Sequence, residues 1–233
     1  MFRKNIDDWL KERRLYGIRV FSEDDPCDLP KGWEKPSDIS LSAIAVFGPE
    51  GFLLFTDEIF SLSISRKKIE LRTLDAFTKW YEELEPQSII AGYNMKSLGF
   101  DLIRSKIEVD FRGDLRYCDL LEWVQEMTAT HYESYPRRIP LVALAHMNDI
   151  RKFVIPLPSL ITSALTLVSM WRKENKAGVM KNLLNEANLI TRILWDMECN
   201  DGSLLIRDER TDKKVRVTSD DFGFLTDKNP EDR

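Results

Sequence analysis

The stretch LSAIAVFGPEGFLLFT, residues 41–56, decides the fold class of this 233-residue chain. It consists of two apolar, β-prone runs, 41–47 and 52–56, on either side of the turn-forming residues GPEG at 48–51. Such a pattern predicts a β-hairpin. A further apolar run upstream, GIRVF at residues 17–21, predicts a strand that extends the hairpin into an antiparallel meander.

Strand-like and helical patterns alternate in the rest of the chain. Residues 60–71 alternate only in part and predict either a weaker strand or an extended loop. Beyond them, apolar residues at helical spacing predict a helix from Thr73 to Leu84. The other predicted elements are strands at 88–92, 115–118, 204–207 and 215–217 and helices at 5–14, 99–107, 119–129, 140–147, 159–174 and 178–199.

This order of elements predicts an α/β fold. We expect a mixed sheet, in which the antiparallel meander is followed by parallel strands, with helices flanking the sheet. We also expect an N-terminal helix within residues 1–15, one folded domain over residues 16–218 and a flexible tail over residues 219–233.

Composition excludes several classes of protein. Apolar residues make up 43% of the chain and charged residues 31%, which is a globular balance rather than that of a disordered chain. No apolar run reaches the about 20 residues of a membrane span, and the charged N-terminus lacks the apolar segment of a secretory signal. We therefore expect an intracellular, cytoplasmic protein with no membrane partner.

Composition and net charge also restrict which metals and nucleic acids the chain could bind. Three widely separated cysteines and two histidines form no zinc-binding spacing, so we expect no zinc. Any metal would need oxygen ligands, which favours Mg²⁺ or Mn²⁺. The net charge of −5 argues against binding of nucleic acid through bulk positive charge, so any nucleic-acid contact must be local.

Acidic and polar side chains follow three of the predicted strands. Carboxylates gathered at one strand end repel each other unless a cation or solvent relieves them. Each place also has a simpler interpretation. The first would be a solvated acidic turn, the second an N-cap with a solvated helix charge, and the third a helix cap. In chain order the three places are Glu23, Asp24 and Asp25, then Asn94 and Asp101, and finally Asp119.

Three longer segments, taken with the order of these sites, resemble a known family. They are DLPKGWEKPSDISLSAIAVF at 28–47, RRIPLVALAH at 137–146, and the helical and strand segment from Ser163 to Asp208. Together they resemble the RNase H-like 3′–5′ exonucleases of the DEDD superfamily, and most closely the proofreading-type domain of family B polymerases. The resemblance extends from about residue 16 to 218, and the order of the segments supports it more than any single motif.

The resemblance implies a site in which four carboxylates hold two divalent ions that activate a water and stabilise the leaving group. Carried onto this sequence, the first motif falls on Ser22 and Asp24. The second motif keeps Asp101, but farther along the chain from Asn94 than in the family. The third motif places Ala187 where the family has its last aspartate.

Two of the expected carboxylates are thereby lost. Leu183 takes the place of the family's assisting tyrosine or histidine, and Glu186 lies one step around the helix from the missing aspartate. Asp24 and Asp101 remain as the catalytic candidates, and they are also the expected ligands of Mg²⁺ or Mn²⁺ if a metal binds. The resemblance therefore implies a degenerate active site.

The first functional hypothesis is an exonuclease-fold protein of nucleic-acid metabolism that has lost catalysis and acts as a nucleic-acid-binding or assembly module. Asn94, Arg137 and Arg138 would contact a single strand or a 3′ end, and a protein partner is equally compatible. Stacking on aromatic side chains between cations holds single strands. A solvated charged loop is the simpler explanation of the further candidates, Arg66, Lys67, Lys68, Tyr132 and Tyr135.

The alternative is an active Mg²⁺- or Mn²⁺-dependent 3′–5′ exonuclease with a rearranged site. Ligands that share metal ions would have to lie within about 4–5 Å of one another. A third hypothesis is an unrelated α/β protein, although no Walker loop, GxGxxG, GxSxG or kinase signature supports another enzyme class. The rearranged ligands would be drawn from Glu23, Asp24, Asp25, Asp101 and Asp119.

Overall fold

A computed structural model describes the chain over residues 5–25, 28–29, 34–58, 69–107, 109–132, 139–150, 164–207 and 214–218. The helices are α1 (Ile6–Arg13), α2 (Ala76–Glu82), α3 (Phe100–Ile107), α4 (Leu120–Tyr132), α5 (Leu141–Met147), α6 (Ala164–Arg172) and α7 (Lys176–Cys199). The strands are β1 (Leu15–Phe21), β2 (Ala43–Gly48), β3 (Gly51–Phe55), β4 (Ile69–Arg72), β5 (Ile89–Gly92), β6 (Arg116–Asp119), β7 (Ser203–Arg207) and β8 (Lys214–Thr218).

The central sheet has six strands in the order β4-β3-β2-β1-β5-β6. β1, β2 and β3 pair antiparallel, whereas β5 lies parallel to β1 and β6 lies parallel to β5. β7 and β8 form a separate hairpin. The predicted fold class is confirmed, because an antiparallel meander is followed by parallel strands and helices flank the sheet. This arrangement is consistent with an RNase H-like fold.

The structure adds detail between β3 and α2. For residues 60–71, where the sequence left a weaker strand or an extended loop open, the described part, 69–71, belongs to strand β4, which pairs parallel to β3. The helix expected from Thr73 begins at Ala76. The Leu74 N–H donates to the Asp57 carboxylate at 3.0 Å, and the Thr73 carbonyl accepts from the Ala76 N–H at 3.1 Å. Residues 73–75 are therefore held in a turn.

Alternation along the strands produces two apolar layers. On one face of the sheet, Phe21 and Ala45 pack in a core that includes residues of α1, α4, α5, α6 and α7. On the other face, Ile18 and Val46 pack with residues of α2 and α3. The sheet is thus buried on both faces, which explains why its central strands are apolar almost throughout.

The first and the last helix of the described ranges, α1 and α7, both belong to the first of these layers. The indole N–H of Trp9 in α1 donates to Glu198 near the end of α7 at 2.6 Å, and the Arg13 guanidinium is 3.0 Å from the same carboxylate. α7 is 24 residues long and carries polar residues throughout. None of the helices in the described ranges combines the length and the apolar character needed to cross a membrane.

Helix α7 approaches β1 closely at Gly17. A Cβ atom added to Gly17 would lie 2.2 Å from the carbonyl oxygen of Ala187 and 2.8 Å from Cγ2 of Thr191. Both residues of α7 are fully buried, and the nearer atom belongs to the backbone. Any side chain at residue 17 would therefore push α7 away from the sheet.

We expect Gly17→Ala to lower the free energy of unfolding by about 1–3 kcal/mol, because the added methyl group overlaps the α7 backbone. Gly113→Ala is the matched control, because a Cβ atom at Gly113 meets nothing within 4 Å. The control should change the free energy by less than about 0.5 kcal/mol. Urea denaturation followed by tryptophan fluorescence measures both variants. Equal stability of the two would contradict the close contact.

Candidate functional site

A cavity of about 150 Å³ lies at the carboxyl ends of β1 and β5, between the turn after β5 and helix α7. Its walls combine apolar side chains with four polar ones, and they come from β1, the turn, α3, α6 and α7. The cleft, as we call this cavity, is lined by Arg19, Val20, Phe21, Ser22, Asn94, Met95, Leu98, Gly99, Leu102, Leu167, Leu183 and Glu186.

An ion pair between Arg19 and Glu186 dominates the polar part of the cleft. The Arg19 Nε donates to Glu186 Oε2 at 2.5 Å, and Nη1 donates to the carbonyl oxygen of Tyr93 at 2.6 Å. The second oxygen of Glu186 accepts from Asn182 Nδ2 at 3.2 Å. The Glu186 side chain is only 5% exposed, so its charge is balanced inside the protein by a fixed guanidinium group.

Strand alternation explains why Arg19 reaches α7. Gly17 touches the helix, and residues two apart point to the same face of a strand, so Arg19 and Phe21 face α7 as well. Sequence reasoning did not single out Arg19. The available signal was a charged residue inside the apolar run GIRVF, two residues after a glycine.

Of the two positions where carboxylates were expected to be lost, one lines the cleft and the other does not. Ser22 lines the cleft, and its hydroxyl oxygen accepts from the Asp24 N–H at 3.1 Å. Ala187 is fully buried and is not part of the cleft lining, since its carbonyl oxygen lies against Gly17. The acid that α7 presents to the cleft is Glu186, and the β1 residue that it contacts is Arg19.

Asp119 forms hydrogen bonds to the backbone of two neighbouring segments. Its Oδ1 accepts from the Asn94 N–H at 2.8 Å and from the Leu121 N–H at 3.0 Å. Its Oδ2 accepts from the Lys96 N–H at 2.9 Å. Asp119 therefore caps α4 and also fixes the turn that carries Asn94, whose backbone is left-handed with φ of 60°.

The turn after β5 is a π-helical turn over Met95–Gly99 that leads directly into α3. Met95 is 1% exposed, and a Cβ atom added to Gly92 or Gly99 would meet its side chain at 2.0 or 2.3 Å. Asp101 follows this turn. Its side chain is 54% exposed, lies 3.7 Å from the Arg104 guanidinium, and is not part of the cleft lining.

The carboxylates of the acidic cluster after β1 are bound by partners from elsewhere in the chain. The Trp171 indole N–H donates to Glu23 at 2.5 Å, and Asp24 accepts from the Ser40 N–H at 2.5 Å. Arg172 lies 3.8 Å from Asp25. Glu23 and Asp25 thus have partners at the end of α6, and Asp24 has its partner in the segment before β2. Asp24 is not part of the cleft lining.

The donor set of the cleft does not fit a divalent cation. Its acid, Glu186, has both oxygens hydrogen-bonded, and the Arg19 guanidinium repels a second positive charge. Within the ranges that the structure describes, no three His, Cys, Asp or Glu side chains lie close enough to hold a metal ion. Burial raises the pKa of the Cys118 thiol well above its ordinary value, so Cys118 is not an activated nucleophile.

The cleft brings together four of the residues that the sequence singled out, namely Ser22, Asn94, Leu183 and Glu186, and adds Arg19. It does not include Asp24 or Asp101. The side chain of Tyr132 lies outside the described part of the structure, as do residues Arg66, Lys67, Lys68, Tyr135, Arg137 and Arg138.

We expect Arg19→Met to cost about 3–5 kcal/mol of folding free energy, because it leaves a buried carboxylate without its cation. The double variant Arg19→Met/Glu186→Met should cost clearly less, because it replaces both charges by apolar groups in a largely apolar cleft. Chemical denaturation of Arg19→Met, of Glu186→Met and of the double variant gives the coupling energy between the two side chains.

Arg104→Met is the control for this cycle. Its guanidinium is 57% exposed and 3.7 Å from Asp101, so its loss should cost less than about 1 kcal/mol. A double variant as unstable as the sum of its single variants would show that the Arg19–Glu186 pair is not coupled.

Comparisons with known proteins give a likeness to solved structures alone. No protein-family model matches the chain, and no functionally curated protein matches it. Among solved structures, the family B DNA polymerase from the hyperthermophilic archaeon Pyrobaculum calidifontis is similar, with 13% sequence identity and a TM-score of 0.49. The match covers 79% of this chain and 24% of the polymerase chain, so this chain spans about a quarter of the polymerase. A likeness at this level does not assign the chain to a family.

Proposed function

We propose that this chain is an exonuclease-fold protein of nucleic-acid metabolism that works without two-metal catalysis, as a nucleic-acid-binding or assembly module. The observation that carries the proposal is the Arg19–Glu186 ion pair in the cleft. The sequence resemblance to RNase H-like exonucleases supplies the link to nucleic acids.

The ion pair supports a non-catalytic role on electrostatic grounds. Two-metal hydrolysis needs carboxylate oxygens that are free to bind cations. In the cleft, the Glu186 oxygens bind Arg19 and Asn182 instead. The positive charge of the Arg19 guanidinium beside Glu186 also repels a metal ion.

The positions of the other acids support the same role. Asp24 and Asp119 use their carboxylates to accept backbone N–H groups, and Asp101 is half exposed on α3. A rearranged site would need these groups to turn away from their partners and gather around one ion. The first two would lose hydrogen bonds that fix the loops on which they act.

Binding remains chemically feasible in the cleft after catalysis is lost. Arg19 and Ser22 offer hydrogen-bond donors beside apolar walls that include Leu98 and Leu102. Such a combination suits the end of a single strand, in which a base contacts apolar groups and the backbone contacts donors. Because the net charge is −5, this contact has to be local, and since the salt dependence scales with the number of phosphates contacted, its affinity should fall only modestly with salt.

We expect the purified protein to show no saturable Mn²⁺ or Mg²⁺ binding at millimolar metal by calorimetry, because the cleft has no free carboxylate. We also expect a labelled single strand to stay intact in the presence of either metal, and to be bound in the presence of EDTA. Fluorescence anisotropy with DNA and RNA strands measures the binding, and gel analysis of the same samples measures cleavage.

Two variants make this test specific. Asp101→Ala removes the acid that a rearranged metal site would use, and Asp75→Ala removes an exposed acid at the start of α2 as the control. Saturable metal binding and strand cleavage that vanish in Asp101→Ala but persist in Asp75→Ala would overturn the proposal and establish the active exonuclease. Absence of strand binding would contradict the nucleic-acid-binding role.

A further inference from the structure

We propose that the outer edge of β4 pairs antiparallel with β4 of a second copy of this chain, so that two sheets join into one. β4 is an edge strand of the six-stranded sheet. Within the described ranges, no strand pairs with its outer side. The pairing is independent of the proposed function, because β4 lies at the opposite end of the strand order from β5 and β6.

The backbone of β4 presents hydrogen-bonding groups outward. The Thr56 N–H donates to the Arg72 carbonyl oxygen at 2.9 Å, so in this parallel ladder the backbone groups of Arg72 point to β3. By alternation those of Glu70 also point to β3, whereas those of Ile69 and Leu71 point away. An incoming strand would therefore find its partners at Ile69 and Leu71.

Leu71 adds an apolar contact to this edge. Its side chain is 50% exposed, although it is large and apolar. It lies beside Leu54 of β3, which is fully buried. In an antiparallel pair centred on Leu71, the two Leu71 residues lie opposite each other. They extend the apolar layer that includes Leu54 across the interface between the two copies.

The charges beside Leu71 favour pairing between two copies. Edge strands commonly carry charges that repel another strand. Here Glu70 and Arg72 have opposite signs and flank Leu71 symmetrically. In the pairing centred on Leu71, Glu70 of each copy lies opposite Arg72 of the other. Opposite charges at directly opposed positions stabilise an antiparallel pair, and like charges destabilise it.

The test uses two charge-reversed variants and sedimentation equilibrium. Wild-type protein should show a reversible monomer–dimer equilibrium of modest affinity, because one short strand is smaller than a standard interface. Glu70→Arg places arginines opposite each other in a homodimer, and Arg72→Glu places glutamates opposite each other. Each variant alone should raise the dimer dissociation constant about tenfold or more.

An equimolar mixture of Glu70→Arg and Arg72→Glu should restore dimerisation to near the wild-type level. In the mixed dimer every opposed pair again has opposite charges. Within each chain, residues 70 and 72 still carry like charges, whereas in the wild type they form a salt bridge of 2.8 Å. Recovery in the mixture therefore cannot come from a repaired contact within one chain.

Two leucine variants provide the matched control. Leu71→Lys should abolish dimerisation, whereas Leu165→Lys, at a leucine on α6 that is also 50% exposed, should leave it unchanged. Thermal unfolding verifies that each variant is folded. If a charge variant fails to fold, the comparison of Leu71→Lys with Leu165→Lys decides whether β4 forms the dimer interface. A wild-type protein that stays monomeric up to concentrations on the order of 1 mM, or a mixture that dimerises no better than its components, would overturn the proposal.

Discussion

The close contact between α7 and Gly17 of β1 sets the geometry of the molecule around it. Because the helix backbone rests on the strand at that glycine, the side chains on either side of the contact have fixed neighbours. Thr191 is buried against the sheet on one side. On the other side Arg19 meets Glu186. The same helix also binds α1 through Glu198. Helix α7 therefore contacts the N-terminal helix, the sheet and the cleft.

The cleft shows how a buried carboxylate can be balanced by a side chain of the same chain. A buried carboxylate needs a positive charge nearby. In a two-metal site the ions supply it, and in this cleft an arginine from the adjacent strand supplies it. The guanidinium also binds the carbonyl oxygen of Tyr93, so it joins α7, β1 and the segment after β5. The result is a cleft whose polar wall is assembled from within the chain.

The sequence predicted the fold class and most elements because apolar periodicity reports which faces of a helix or strand are buried. It predicted less where one contact decides the outcome. The helix after β4 starts at Ala76 because Asp57 binds the Leu74 N–H, and this partner is distant in sequence. The motif comparison assigned Ser22, whereas strand alternation from Gly17 brings Arg19 to α7. The second role of Asp119 is to fix the turn at Asn94. This role could not be predicted from the residues around Asp119, because it depends on the pairing of β6 with the neighbouring strand β5.

The position of Asp119 also has a consequence for motion. Its single carboxylate binds the first turn of α4 and two amides of the turn that forms one wall of the cleft. Neither segment can separate from Asp119 without breaking hydrogen bonds to a 3% exposed carboxylate. The start of α4 and this wall are therefore held by one side chain, and native-state opening of either segment breaks hydrogen bonds to that buried carboxylate.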